Sequence, residues 1–393
     1  MGTTLIVNPG SSSRKYALYN DGKPVLELRF EDTKSGFEMC SQFSGSKQTC
    51  GAVTQEDFFN SFKRVVSEVE KTISEDKILS LDNIVVRVVS PGTYFQKHAI
   101  IDAEYIQKLK QKESSAPLHL PAILREISNI KSAYPDVNFY AASDSAFHQN
   151  MPPKARTYTI LKSDAELYDI YRFGYHGLSV SSVVRKIHPL IGMEPDRMIV
   201  CHIGSGTSVT AVKQGKSVET TMGFSPTSGL PMSSRAGDID GSALVELMRA
   251  KNLKTMDAGV YLNTNGGLAA LSGESDIRVL LDKKSQNDPG ATLALEVFAY
   301  HLQRAIAGQT VALGGLDVLV LTATASVRSP ELRSLVLNGL KHLGIEISPD
   351  RNEVLLGKDG VISLRNSPVK VVVMRTDEMG EMALVPNQVK RAG

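Results

Sequence analysis

The chain of 393 residues is long enough for about two domains of ordinary size, and its 42% apolar content can supply a core for each. Its 44 basic and 42 acidic residues are mixed along the sequence and give a net charge of +2, so no basic tract is available to bind a nucleic-acid backbone. No apolar run approaches membrane-spanning length, and the N-terminus enters a short strand without a charged leader and apolar stretch. We therefore expect a cytosolic globular protein that binds neither nucleic acid nor membranes.

Strand-like and helix-like segments alternate along the chain, which favours an α/β architecture. The clearest strands are β-branched runs short enough to be buried: residues 83–89, 137–143, 197–203, 316–323 and 369–375. Apolar residues at helical spacing indicate helices over residues 291–313 and 329–344.

Two hairpin-like segments match each other without a gap. Residues 6–25, IVNPGSSSRKYALYNDGKPV, align with residues 199–218, IVCHIGSGTSVTAVKQGKSV. Each has a strand, a Gly/Ser-rich bend, a second strand and a turn, NDGK or KQGK. Any two β-hairpins look alike, but here the bends, hydroxyls, turn glycine and following Lys all coincide. The match predicts a duplication, with residues 1–146, completed by 380–393, as one domain and 147–379 as the other.

Each bend leads into a β-hairpin, whereas the bend of a P-loop leads into a helix that holds the phosphates. Backbone N–H groups and hydroxyls would therefore hold phosphate, with one hairpin from each domain on either side of an interdomain cleft. This layout resembles the duplicated actin, sugar-kinase and Hsp70 type of domain, which is ribonuclease H-like. A likeness of fold leaves the reaction open.

The cysteines Cys40, Cys50 and Cys201 form no CxxC pair and have no His at zinc-site spacing. We expect all of them to be reduced thiols. A nucleophilic role for Cys201 beside His202 is disfavoured, because successive residues of a strand point to opposite faces.

Phosphoryl transfer needs arginines, a metal-binding carboxylate and oriented donors around the moving group. Arg87 lies between valines of a strand that we expect to be buried, where an unpaired guanidinium is costly. Asp144 ends the next strand, at the edge where ligands of open α/β sheets bind, although helix capping would also explain it. Glu378 follows another strand and fits either a site carboxylate or a solvated turn.

His176 lies between an aromatic residue and a glycine and fits either a neutral donor in a pocket or a core histidine. Arg235 is in a polar, glycine-containing loop, which is a setting typical of a phosphate ligand. Asp238 and Asp240 fit either a metal pair or helix capping.

With these residues in view, the chain resembles the acetate and butyrate kinase family from its first strand to its last. The segment NPGSSSRKY is similar to the family signature N-x-G-S-S-S-x-K. Further blocks match in order: SDSAFHQNMP, FGYHGLS, HIGSGTSVTAVKQGKSVETTMGFSPTSGL and SSRAGDID.

The resemblance implies a role for each of four groups of residues. The implied catalytic residues, which hold the carboxylate and phosphoryl groups or orient substrate, are Arg87, His119, Asp144, His176 and Arg235. The implied acyl pocket is Val89, Leu118, Tyr175 and Pro226. The implied phosphate and nucleotide ligands are Ser11, Ser13, Lys15, His202, Gly204, Ser205, Gly206, Asp276, Arg278, Thr324, Ser326 and Arg328. The implied metal ligands are Asn8 and Glu378.

The implied reaction is direct in-line transfer of a phosphoryl group from ATP to acetate, giving acetyl phosphate and ADP, with Mg²⁺ as the metal or Mn²⁺ in its place. The residues agree with direct transfer, since none resembles an activated nucleophile. The resemblance also implies a homodimer.

One segment departs from the family pattern. After the strand VLVLTA the family has a G-G-I-G-E-N-S-like turn around the adenosine, whereas this chain has a bend, TATASVRS, without glycine or Asn. Alternatives to ATP and acetate therefore stay open: pyrophosphate/phosphate as the donor pair, propionate or butyrate as the acceptor, and a non-catalytic ligand-binding relative with the same fold.

Overall fold

The computed structural model describes residues 2–10, 13–33, 35–75, 80–117 and 120–392. Contacts between residues divide the chain into two units, each built around its own sheet. The first unit runs up to Ala146 and resumes at Glu378, and the second spans Phe147–Asp377.

The first unit contains an eight-stranded sheet. Its strands are β1 (Thr3–Pro9), β2 (Ser13–Asn20), β3 (Lys23–Thr33), β4 (Gly36–Phe43), β5 (Thr49–Val53), β6 (Asn83–Val88), β7 (Ala99–Ile100) and β8 (Asn138–Ser143). Its helices are α1 (Gln55–Phe59), α2 (Ser61–Glu75), α3 (Ala103–Gln111) and α4 (Leu120–Ala133), together with the helix Glu378–Ala392 that follows the second unit.

The second unit contains a six-stranded sheet. Its first half consists of α5 (Pro153–Arg156), α6 (Lys162–Tyr168), α7 (Gly177–Ile191), β9 (Arg197–Ile203), β10 (Thr207–Lys213), β11 (Lys216–Thr220), α8 (Gly241–Lys251), α9 (Thr255–Thr264) and α10 (Gly267–Ser272). Its second half consists of α11 (Ile277–Ser285), α12 (Pro289–Leu313), β12 (Val318–Thr322), α13 (Thr324–Arg328), α14 (Pro330–Leu337), α15 (Pro349–Val354), β13 (Gly360–Val361) and β14 (Lys370–Met374), and the helix Glu378–Ala392 is α16.

Six strands of the first sheet follow the same order as the six strands of the second, and β4 and β5 extend the first sheet. The first runs β5-β4-β3-β2-β1-β6-β8-β7 and the second β11-β10-β9-β12-β14-β13. An antiparallel meander, of five strands in the first sheet and three in the second, is followed in each sheet by two parallel strands and a short antiparallel edge strand. The predicted α/β fold and the predicted duplication are confirmed: this is the duplicated actin-like fold.

The two matching hairpin turns also share their backbone conformation. Asp21 and Gly22 have φ of 47° and 79°, and Gln214 and Gly215 have φ of 50° and 73°. Two successive positive φ values define the type I′ turn, whose twist matches that of the flanking strands. The glycine found in both sequences therefore has a conformational reason to be there.

The second sheet is buried on both faces, which explains its continuous apolar strands. One face packs against α12, with Leu295, Phe298 and Leu302 in the same core as Ile199 and Leu319. The other face packs against α7 through Val180, Val183 and Ile187. No described helix is both long enough and apolar enough to cross a membrane.

Strong local signals set the ends of α12. The Asp288 carboxylate accepts a hydrogen bond from the Ala291 N–H, Pro289 takes the first helical position, and Gly314 ends the helix with φ of 73°. The helix predicted over residues 329–344 is shorter than expected, because α14 ends at Leu337 and the chain continues as a 3₁₀ helix over Asn338–Leu343.

The expectation of reduced cysteines is wrong for Cys40 and Cys50, which form a disulfide. The two residues face each other in the antiparallel register of β4 and β5, with their Cα atoms 4.0 Å apart. Their ten-residue spacing gives no CxxC signal, and only the hairpin brings them together. Cys201 is a free, buried thiol, and burial raises its pKa above its ordinary range.

Candidate functional site

In the first unit, a charged cluster lies at the carboxyl ends of three neighbouring strands. Asn8 is near the end of β1, Arg87 is in β6 and Asp144 directly follows β8. Because β6 is parallel to both β1 and β8, these ends meet at one edge of the sheet. Glu378, the first residue of α16, completes the cluster.

The Arg87 guanidinium is the centre of this cluster. Its Nε and Nη2 donate to Asp144 Oδ1 at 3.2 and 3.0 Å, and its Nη1 donates to Asn8 Oδ1 at 3.4 Å. Glu378 Oε2 lies 3.8 Å from Nη1. Burial lowers the pKa of Arg87, but the Asp144 and Glu378 carboxylates raise it by more, so its pKa is raised overall. A cation is therefore fixed in a partly buried site.

A histidine that the sequence did not single out braces this cluster. The backbone N–H of Ser143, the residue before Asp144, donates to His98 Nδ1 at 3.1 Å, and the Ser143 hydroxyl donates to the Phe95 carbonyl. Burial lowers the pKa of His98 to about 4, which keeps the ring neutral and able to accept.

The donor set of the cluster suits Mg²⁺. The metal prefers hard oxygen ligands, and Asn8 and Glu378 offer an amide oxygen and a carboxylate that both lie within 4 Å of the Arg87 Nη1. Within the described residues, the one group of three acidic, His or Cys side chains close enough to share a metal is Glu38, Cys40 and Cys50, and its two sulfurs are bonded to each other.

The first Gly/Ser bend is described only in part. Ser11 lies outside the described residues, as do Leu118 and His119. The Gly10 N–H donates to the Ser13 carbonyl at 2.9 Å, and Lys15 is the register partner of Asn8 across β1 and β2. The Lys15 side chain is exposed to solvent.

In the second unit, His176 begins α7 in an unusual way. It occupies the N-cap position with φ of 59°, and its side chain makes no capping hydrogen bond. Its Nδ1 instead lies 3.0 Å from Ser208 Oγ, and its ring stacks on that of His202 with centroids 4.0 Å apart. The side chain is thus turned toward the second hairpin.

Arg235 shares this region with His176. A Cβ atom built on Gly206 would lie 3.0 Å from His176 Nε2 and 3.6 Å from Arg235 Nη1, so both donors approach the same bend. Arg235 Nη1 also donates to the Pro226 carbonyl at 3.1 Å. The second hairpin bend therefore has an imidazole and a guanidinium beside it, a setting suited to phosphate oxygens.

Six of the twelve predicted phosphate and nucleotide residues line one cavity of about 310 Å³ in the second unit. Its walls include Gly204, Ser205, Asp276, Arg278, Thr324 and Arg328. Asp276 caps α11 and binds Arg278 Nη2 at 2.7 Å, so this pair forms one wall. Ser326 is different, because it is fully buried and its hydroxyl donates to the Thr322 carbonyl at 2.6 Å.

The segment expected to be a bend, TATASVRS, contains the short helix α13. Arg333, only 1% exposed, donates from Nη1 to the Ser326 carbonyl at 2.7 Å and from Nε to Asn352 Oδ1 at 2.6 Å. Arg333 thereby stabilises the C-terminal part of α13 through its backbone carbonyl groups. Nothing in the local composition predicts this support, because Arg333 acts from the following helix.

The remaining predicted residues have mixed placements. Tyr175 is fully buried, and its hydroxyl donates to the Phe224 carbonyl at 2.6 Å. Val89 and Pro226 are half-buried, in the first and second unit respectively. Asp240 caps α8, and Asp238 accepts from the Gly229 N–H at 2.7 Å, so both aspartates have structural partners.

Comparison with known proteins gives consistent matches over almost the whole chain. The family model of the acetokinase family matches residues 3–384. The acetate kinase of Thermoanaerobacterium thermosaccharolyticum is 34% identical over 387 residues, covering 95% of each chain. The crystal structure of Porphyromonas gingivalis acetate kinase has a TM-score of 0.84 at 28% identity, covering 99% of this chain and 100% of that one. A propionate kinase from Francisella tularensis has a TM-score of 0.87 at 28% identity, covering 98% and 99%.

Proposed function

The chain belongs to the acetokinase family, and on that basis we propose that it transfers a phosphoryl group reversibly between ATP and acetate. The products in the forward direction are acetyl phosphate and ADP. The observation that carries the proposal is the Arg87 cluster, because a carboxylate substrate needs a fixed cation and Asp144 holds that cation through two N–H groups.

In the proposed reaction, an acetate carboxylate oxygen attacks the terminal phosphorus of ATP while the bond from that phosphorus to the ADP oxygen breaks. No proton transfer and no covalent enzyme intermediate are needed. Arg87 holds the acetate carboxylate, and Asp144 orients Arg87. His176 and Arg235 donate to the oxygens of the transferring group, where charge develops.

A divalent cation, which we propose to be Mg²⁺, would be held by Asn8 and Glu378 and would neutralise phosphate charge. The bend residues Ser11, Ser13 and Lys15 and the hairpin residues from His202 to Gly206 would bind phosphate oxygens. We also propose the remaining roles that the resemblance implies. His119 would act with the catalytic residues, and the acyl pocket would consist of Val89, Leu118, Tyr175 and Pro226.

The donor and the acceptor each have a second candidate. The wall formed by α13 carries Arg328 where the family turn has Asn, which favours a compact polyanion such as pyrophosphate over a nucleoside. Propionate is the second acceptor, because the similar Francisella tularensis protein is a propionate kinase. ATP and acetate remain the leading pair.

We further propose that the units act as the two domains of the enzyme, with the second on the nucleotide side, and that the chain is a cytoplasmic homodimer. Apolar side chains on α8 and α9 support a dimer, since Val245, Met256 and Val260 are 66%, 59% and 38% exposed. In a reducing cytoplasm the Cys40–Cys50 disulfide would be open to thiol exchange.

The test is to trap acyl phosphate as its hydroxamate with Mg²⁺, using acetate or propionate with ATP or pyrophosphate. Product with ATP and acetate is the expected result. Arg87→Ala is expected to lower turnover on the order of 10²-fold, because the transition-state charge loses its cation. Arg249→Ala is the matched control, since the Arg249 side chain is 75% exposed and pairs with Glu246 of the same helix, α8. An absence of product with every donor and acceptor would favour the non-catalytic alternative.

A further inference from the structure

His148 is fully buried in the second unit and contacts the backbone beside His176. Its Nε2 lies 3.0 Å from the Tyr175 carbonyl oxygen, and its Nδ1 lies 2.8 Å from Ser217 Oγ. Because a carbonyl only accepts, Nε2 carries a hydrogen and donates it to the Tyr175 carbonyl, while Nδ1 pairs with the Ser217 hydroxyl. The ring is thus oriented from both sides.

Gly174 makes room for this histidine. It has φ of 75°, and a Cβ atom built on it would lie 2.6 Å from His148 Cγ and 2.7 Å from Cδ2. Any side chain at position 174 would therefore meet the imidazole ring as well as the cost of a left-handed backbone. The backbone at Gly174 therefore packs against the His148 imidazole ring, immediately before Tyr175 and His176.

The contact with the Tyr175 carbonyl bears on the backbone of His176. The carbonyl belongs to the peptide plane that joins Tyr175 to His176, and the orientation of this plane about the N–Cα bond of His176 defines φ of that residue. His176 has φ of 59°, a left-handed value that is uncommon and costly for a residue with a Cβ, so contacts that hold it there matter. His148 holds the plane, and Ser208 and His202 hold the ring at the other end.

We propose that His148 is a positioning residue for phosphoryl transfer, which fixes the left-handed backbone of His176 through the Tyr175 carbonyl and so aims the His176 imidazole. This inference rests on the proposed function and gives His148 no contact with substrate. It predicts that the donor on Nε2, and not merely the volume of the ring, is what catalysis requires.

The test compares two amide substitutions that replace different ring nitrogens. The amide of Gln reaches the position of Nε2 and can donate to the Tyr175 carbonyl, whereas the shorter Asn reaches only the position of Nδ1. We expect His148→Asn to lower kcat by about 10- to 100-fold because a small misplacement of a catalytic group is costly. We expect His148→Gln to restore most of kcat, with KM for acetate changed by less than about twofold in both variants.

A double-variant comparison separates positioning from general damage. In a His176→Ala background, His148→Asn should cause no further loss of kcat, because the group that it positions is absent. Val183→Ala serves as the stability control, since it weakens the packing of α7 in an apolar core of which His148 is not a member. It is expected to lower the melting temperature and leave kcat unchanged.

Equal loss of kcat in the Asn and Gln variants, or the same loss from His148→Asn with and without His176, would overturn the inference. Should the Asn variant not fold, Ser217→Ala removes the hydrogen-bond partner of Nδ1 and should lower kcat only when His176 is present.

An NMR measurement needs no activity. The His176 ring signals, assigned with His176→Ala, should shift in the Asn variant and not in the Gln variant. If the wild-type chain makes no acyl phosphate, the proposed function fails, while this NMR comparison still decides the positioning role.

Discussion

Ala323 has a backbone conformation that ordinarily belongs to glycine. Its φ of 68° and ψ of 172° place it in a region where a Cβ is strained, at the junction of β12 and α13. A Cβ built on Gly204 would be 3.6 Å from the Ala323 Cβ, so this strained residue lies beside the second hairpin bend.

We expect Ala323→Gly to raise the free energy of unfolding by about 1 kcal/mol, because relief of strain outweighs the added freedom of the unfolded chain. Thermal and urea unfolding measure this change. Ala325→Gly, two residues later within α13, is the matched control and should lower the free energy of unfolding by about 0.5–1 kcal/mol. A fall in stability for Ala323→Gly would contradict the strain.

His98 makes stability depend on pH. Its folded pKa of about 4 is below the ordinary 6.5, so the unfolded chain takes up the proton first as the pH falls. The stabilisation is present above about pH 6.5 and is lost progressively down to about pH 4, by as much as about 3 kcal/mol.

His98→Asn should keep an acceptor for the Ser143 N–H but cannot titrate. We expect its free energy of unfolding to fall less steeply than that of the wild type between pH 6.5 and pH 4, measured by urea unfolding at several pH values. Parallel curves for the two proteins would show that His98 is not the titrating group.

The sequence could predict site residues where it places a charged side chain in or directly after a buried strand, as it does with Arg87 and Asp144. Those two side chains do contact each other. His98 and His148 could not be anticipated, because each contacts a backbone group 45 or 27 residues away. Only the fold brings these pairs together.

At the scale of elements, β-branched runs predicted the parallel strands to within a residue or two of their ends, and the turn glycines predicted both hairpins. The sequence did not predict α13. Five residues are too few for a helical period to be visible, and the helix depends on the contacts of Arg333 with the Ser326 and Val327 carbonyls.

The β4–β5 hairpin is closed by its disulfide, and we expect reduction to lower the free energy of unfolding by roughly 2–3 kcal/mol, as for a closed loop of about ten residues. Melting with and without a dithiol reductant measures the effect. Cys50→Ser should melt at the same temperature in both conditions. In the denatured chain without reductant, only Cys201 should react with a thiol reagent, and reaction of all three cysteines would contradict the disulfide.

Arg333 supports α13 with a buried charge, and burial lowers its pKa. We expect Arg333→Met to cost about 3 kcal/mol, because several buried carbonyls lose a charged donor. KM for the phosphoryl donor should rise while KM for acetate stays constant, since residues of α13 line the cavity that we propose for the donor. Arg351→Met is the control, because Arg351 Nη1 donates to the Ser363 carbonyl, which lies outside α13. Equal changes in both KM values would argue against a local role.

At the scale of the whole molecule, the two units differ in whether their residues are continuous in the sequence. The second is continuous, whereas the first needs α16, which follows the second unit in the sequence. The helix packs on β1, β6 and β8, and its Met382 and Val385 are fully buried.

A chain that ends at Asp377 should therefore keep the second unit folded and lose the first. Hydrogen exchange should find β9, β12 and β14 protected as in the full chain, and β1, β6 and β8 unprotected. Full protection of β6 in the shortened chain would show that α16 is dispensable.

The split first unit reverses the usual order of folding during synthesis, in which the N-terminal part of a chain folds first. On the ribosome, β1 to β8 are made early but must wait for α16, while the second unit can close as soon as its last strand emerges. Glu378 is the first residue of that helix, so the same late segment brings both the missing core and a proposed metal ligand. An incomplete chain would thus carry a folded second unit without the proposed carboxylate and metal site, and we expect it to consume no ATP before translation ends.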